Sequence, residues 1–190
     1  GAGWRWILVV EGGIALVVAA ISTLLPVRDV ARRPRIRSAH FQEVFSHDTR
    51  LLVAILCAGF LYGGTEAIAN FWLPKFQIDV FGAAEATAGF SLTLFWLGMV
   101  VGRLGFLPLV RRYSSARLLL LCSGSLAVFL VATAFAPTQR ASLALSFGAG
   151  LGASASYGII ASYSRRFPER LSWTVSCLFI FSGTAGGLVL

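Results

Sequence analysis

Charge is scarce in this chain. Only 13% of its 190 residues are Asp, Glu, Lys or Arg, while 57% are hydrophobic. A soluble domain keeps about a quarter of its residues charged, so this composition, with a mean hydropathy of +0.79, excludes the soluble globular class. No C-x-x-C pair occurs, and Cys57, Cys122 and Cys177 stand far apart, each inside an apolar run. They read as small buried hydrophobes and not as redox pairs or metal ligands. Histidine is absent from the apolar runs, and the acids there are Glu11 and Glu66. A membrane-embedded enzyme needs a paired nucleophile and base, or clustered ligands, and finds neither. The glycine-rich stretches are not followed by Lys-Ser or Lys-Thr, so none is a phosphate loop. The chain opens without methionine or a signal-peptide pattern and stops inside an apolar run, which predicts a fragment of a longer protein. The expectation is a non-enzyme with no cofactor and no metal.

The basic excess, with a pI near 10.5, does not point to nucleic acid. The arginines fall in short clusters between apolar runs, without a basic helix face or an aromatic-interleaved patch. Membrane topology explains the charge instead.

Six runs are long enough to span a bilayer: 6–25, 51–73, 86–110, 118–136, 141–163 and 171–190. About 20 residues at 1.5 Å each cross a hydrocarbon core of roughly 30 Å. Pro26 ends the first run, and Pro74 with Lys75 is expected to end the second, leaving an outer loop over 77–85. If the loops alternate, one side carries Arg28, Arg32, Arg33, Arg35, Arg37, Arg50, Arg111, Arg112, Arg117, Arg165, Arg166 and Arg170, and the other carries Arg5, Lys75 and Arg140. That asymmetry marks the first side as cytoplasmic and supports six crossings. The fold class is therefore all-α, a polytopic helical membrane protein with six transmembrane helices and the lipid bilayer as its solvent.

The basic connector over 27–50 includes His40, His47 and Asp48, which read as a solvated linker and not a metal site because nothing supplies further ligands. A short amphipathic helix is expected around 39–45. In the second run Tyr62, Glu66 and Asn70 recur every four residues and share one helix face. A charged group inside a span faces a bundle interior or a wet cavity, so Glu66 is the leading functional candidate, weighed against a structural or solvated carboxylate. Trp96, at mid-depth in the third run, needs a partner for its indole N–H. The same run carries Gly98 and Gly102, which allow close approach to the helix that follows the basic turn, and Arg103, which must snorkel, lie near a helix end or find a partner. The fourth run is nearly devoid of polarity and reads as a lipid-facing helix. Gly148, Gly152 and Ser156 form a small-residue ridge in the fifth run, and Gly183 and Gly187 repeat the spacing in the sixth. The remaining hydroxyls of the fifth run, with Tyr157, are candidates to line a polar path.

Trp96, Gly98, Gly102, Arg103 and the pair Arg111 and Arg112 resemble the signature between the eighth and ninth helices of major facilitator superfamily transporters. Where the family commonly carries an acid just before the basic pair, this chain has Val110. Gly3-Trp4-Arg5-Trp6, leading into a run that closes in Leu-Pro, resembles the start of the family's sixth helix, and the long basic loop follows in the expected order. Tyr62-Gly63-Gly64-Thr65-Glu66 with Trp72-Leu73-Pro74 resembles the seventh helix of the sugar-type, fucose-permease-like branch. The resemblance implies helices six to eleven of that fold. Residues 1–26 would be the last helix of the N-terminal half, 27–50 the inter-half loop, and 51–190 the C-terminal bundle, truncated within its fifth helix.

The function it implies is secondary transport of a small solute by alternating access in the plasma (inner) membrane, with proton coupling and a sugar-like substrate as the finer expectations. Glu66, Asn70, Tyr62, Tyr157 and Trp96 are the substrate and coupling candidates, and Gly98, Gly102, Arg103, Arg111 and Arg112 the gating candidates. A drug or metabolite efflux transporter of the same fold, or a non-transporting structural or receptor-like membrane protein, is the alternative.

Overall fold

A computed structural model of the chain describes residues 13, 16, 17, 20, 41–110 and 112–190. The chain divides into a unit Gly1–Arg37 and a unit Ser38–Leu190. In the first, Gly13, Leu16, Val17 and Ala20 are helical. Most of the first expected span, Arg28, Arg32, Arg33, Arg35 and Arg37 of its connector, His40 and Arg111 lie outside the described residues.

The second unit is helical throughout, with no strand among the described residues: α1 Phe41–His47, α2 Thr49–Phe81, α3 Glu85–Val110, α4 Ser115–Ala134, α5 Gln139–Ala153, α6 Ser156–Ser162, a 3-10 turn Tyr163–Arg166 and α7 Glu169–Val189. Among the described residues five helical stretches are long and apolar enough to cross a membrane, with α5 through the 3-10 turn counting as one. The expected amphipathic segment is present as α1. Glu43 of α1 pairs with Arg170, and the His47 ring packs at 5.8 Å from that of Phe167.

Local chemistry sets the helix ends. Asp48 caps α2 by accepting the Leu51 N–H at 3.0 Å, Ser114 caps α4 through the Arg117 N–H, and Thr138 caps α5 through the Ala141 N–H. Pro74 does not end the second span as expected. The helix runs on to Phe81 and stops at Gly82, whose φ of 61° is the left-handed conformation that glycine alone adopts cheaply. Proline removes one ladder bond. The extension is nevertheless anchored, because the fully buried Gln77 donates to Ser142 at 2.7 Å and Lys75 pairs with Asp79 one turn on.

The fifth span is the hub. Over its most apolar window 56% is buried, against 17–28% in the other four, because α5 packs against both α3 and α4 while α7 packs along α2. Hydrocarbon offers no hydrophobic drive between helices, so backbone approach must supply the contact. Gly98 and Gly102 do supply it, but against α5 and not against the next helix α4: a Cβ on Gly98 would meet the Phe147 carbonyl, and one on Gly102 the Ser154 side chain. Gly150 returns the approach from α5, and Gly148 and Gly152 face α4. Sequence neighbours joined by a tight turn thus need not be packing neighbours. The outer face of α4 is exposed at Leu120, Val128 and Phe135, as expected of a lipid-facing helix. Of the three cysteines only Cys122 is buried; Cys57 and Cys177 lie on the bundle surface, where an apolar environment outside the protein suits them as well as a core.

Candidate functional site

The fifth span is broken. Its helix stops at Ala153 and resumes at Ser156, so the ladder skips at Ser154 and Ala155. Two carbonyls near the break accept side-chain donors from two other helices. The Tyr62 hydroxyl donates to the Ala153 carbonyl at 3.3 Å, and Arg103 Nε donates to the Ser154 carbonyl at 3.3 Å. Irregular backbone at membrane depth is tolerated where other protein groups satisfy it. The apolar-span arginine has therefore found its partner inside the protein, about two turns before the end of α3.

Next to the break lies a cavity of about 450 Å³ between α2, α6 and α7. Tyr62, Glu66 and Asn70 line it from α2, as their common face requires, and Tyr157 lines it from α6. The opposite wall comes from α7 through Gly183, Thr184 and Gly187. Small residues let this wall close tightly on α2: Gly63 stands so close to the Gly183 carbonyl that a methyl would not fit between them. The Tyr62 hydroxyl donates to the Ala153 carbonyl and stands beside the Glu66 carboxylate. The Tyr62 and Tyr157 rings meet at 6.1 Å, and Tyr157 continues onto Phe179 at 5.0 Å.

Trp96 is not on the cavity wall. Its indole N–H donates to Asn70 Oδ1 at 3.0 Å, and Asn70 Nδ2 donates to the Glu66 carbonyl at 2.9 Å, so Trp96 fixes the amide that sits one turn beyond the acid. Arg112 borders a separate groove with Leu107, Pro108 and Val110. Neither Ser154 nor Ser156 lines this cavity. Ser154 bonds back to the Leu151 carbonyl, and the buried Ser156 hydroxyl faces an apolar groove between α2 and α4 without a partner among the described residues. The contribution of α7 was not foreseen, although its Gly183–Thr184–Gly187 pattern was visible. Of the suggested metal ligands, Asp48 is a helix cap and His47 a ring contact, and no cluster of three potential ligands occurs among the described residues.

The model of the Major Facilitator Superfamily matches residues 1–190. The glucose/mannose transporter GlcP of Bacillus subtilis (strain 168) is 30% identical over 134 residues, 69% of this chain and 32% of that protein. The chain thus spans about a third of the length of this relative. No solved structure matches it.

Proposed function

Because this chain belongs to the Major Facilitator Superfamily, we propose that it supplies the sixth to eleventh helices of a secondary transporter in the plasma (inner) membrane, a carrier and not an enzyme. In this reading residues 1–26 close the first half of the transporter, 27–50 link the halves, and 51–190 build the second bundle. Transport proceeds by rocking the halves about a site near the bilayer midplane. The observation that carries the proposal is the cavity at the broken span, with a carboxylate, two tyrosines and an anchored amide on one wall and glycines on the other. Glu66 accepts hydrogen bonds from substrate hydroxyls or takes the coupling proton, and Asn70, Tyr62 and Tyr157 shape the pocket, with Trp96 holding Asn70. Arg103, with Arg111 and Arg112, serves the inward gate.

A hexose-like solute is supported by the similarity to the glucose/mannose transporter GlcP and by a cavity within the roughly 300–1,000 Å³ of small-molecule sites. The test is Glu66→Gln in the complete transporter, with radiolabelled glucose uptake into vesicles measured with and without a pH gradient. Uptake should fall at least about tenfold, the order expected when a charged hydrogen-bond partner is lost, and the gradient should no longer drive accumulation. Unchanged uptake with unchanged proton dependence removes Glu66 from the mechanism.

A further inference from the structure

We propose that the arginine-rich end of this bundle holds the phosphate of an anionic phospholipid between Arg103 and Arg165. A second cavity, of about 600 Å³, opens there between α3, the start of α4 and α6. Its polar lining is two guanidinium groups and the hydroxyl-bearing residues Ser115, Ser154, Tyr157 and Ser162, with no carboxylate. Both cations are available. Arg103 spends only its Nε on the Ser154 carbonyl, which aims the guanidinium and leaves its terminal amino groups unclaimed among the described residues. Arg165 has no ion pair there, whereas its neighbour Arg166 lies over the Tyr163 ring. Guanidinium groups bind phosphate oxygens in pairs of parallel hydrogen bonds. Ser115 opens α4, so the positive end of that helix faces the same space.

The rest of the lining selects a lipid over a free anion. The flank of the cavity is the exposed pair Leu107 and Val110, side chains of the apolar span and therefore at the depth of acyl chains. The same pair borders the groove that carries Arg112, which puts a third cation beside the flank. A soluble phosphate gains nothing from such a wall, while a phospholipid places its headgroup on the arginines and its chains along the leucine and valine. Anionic lipids also concentrate in the leaflet that faces arginine-rich loops. This inference needs only that the helices span a membrane. It is independent of what the transporter carries.

The complete protein in detergent micelles is mixed with phosphatidylglycerol or phosphatidylcholine of matched chains, and bound lipid is counted by native mass spectrometry. Phosphatidylglycerol should be retained in preference, and Arg165→Ala and Arg103→Ala should each weaken its retention about fivefold, the effect of one basic residue near an anionic headgroup. Arg166→Ala, outside the cavity, should change nothing, and a large excess of inorganic phosphate should displace no lipid. Phosphatidylglycerol should also raise the melting temperature of the wild type but not of Arg165→Ala, an exposed position that decides the matter even if Arg103→Ala does not fold. Equal retention of the two lipids, wild-type retention by Arg165→Ala, or displacement by inorganic phosphate overturns the proposal.

Discussion

Replacing Gly150 with alanine tests whether backbone contact holds the hub of the bundle together. The added Cβ would run into the Phe95 carbonyl oxygen, and would stand 2.8 Å from the Phe95 carbonyl carbon and 3.1 Å from the Met99 nitrogen. All three are backbone atoms, so no rotamer change relieves the overlap. Ordinary contact begins at 3.4 Å, which leaves the carbon contact about 0.6 Å too short. The oxygen contact is shorter still, so the axes of α3 and α5 must part by more than that, along an interface that also holds Gly98 and Gly102. A gap of 0.5–1 Å forfeits roughly a quarter to a half of each dispersion contact it opens. Overpacking of this kind costs about 1–3 kcal/mol. Relief of glycine's poor helix propensity returns up to about 1 kcal/mol. Because the obstacle is backbone, the upper end of the overpacking range applies, and the net expectation is a loss of about 2 kcal/mol. Gly124→Ala is the matched control, since nothing lies within 4 Å of a Cβ there. Thermal unfolding of the complete protein in detergent, followed by circular dichroism, should show Gly150→Ala melting several degrees below wild type and Gly124→Ala at or above it. Equal melting of the two variants would refute the close approach of α3 and α5.

Two further outcomes check the break and the topology. Tyr62→Phe removes the hydroxyl bonded to the Ala153 carbonyl, at a cost of about 1 kcal/mol. Hydrogen exchange at the amides of α6 should quicken about fivefold for that energy, and unaltered exchange would mean that Tyr62 does not hold the break. In a cysteine-free background, single cysteines at the exposed positions Ser46 and Ser114 should react with an impermeant maleimide from one face of the membrane, and those at Ala84 and Pro137 from the other. Labelling of Ser46 and Ser114 from opposite faces would destroy the span order.

The spans were legible because hydrocarbon imposes one length and one composition, so each run over 51–190 has its helix at nearly the expected place. The failures have a common cause, which is that tertiary partners overrode local signals. Pro74 is a sound stop signal by itself, yet Gln77 finds Ser142 across the bundle and carries the helix seven residues past the proline. Gly98 and Gly102 announce a close approach without naming the partner, and the partner is α5 and not the adjoining helix. The break at Ser154 and Ala155 did have a sequence signal, since glycines and serines crowd the stretch 148–158, and both weaken a helix. Read as a packing ridge, that stretch gave no hint that Tyr62 and Arg103 would each take a carbonyl from it. The face shared by Tyr62, Glu66 and Asn70 followed from periodicity, but the α7 wall opposite them depends on which helix packs on α2 and so lay beyond any local rule.

The hydrogen bonds also separate the groups that build the cavity from those free to meet a solute. Hydroxyls in a span must satisfy themselves, and most do so on their own helix: Thr65 on Leu61, Ser162 on Ile159, Ser182 on Phe179 and Thr184 on Ile180. Asn70 is committed on both sides of its amide, to Trp96 and to the Glu66 carbonyl, and Tyr62 is held at the break. On the cavity wall this leaves the Glu66 carboxylate, with the Tyr62 hydroxyl beside it, and the Tyr157 hydroxyl, which has no bonding partner among the described residues. A solute that entered would meet one strong acceptor on α2 and, just past the break, one phenol on α6.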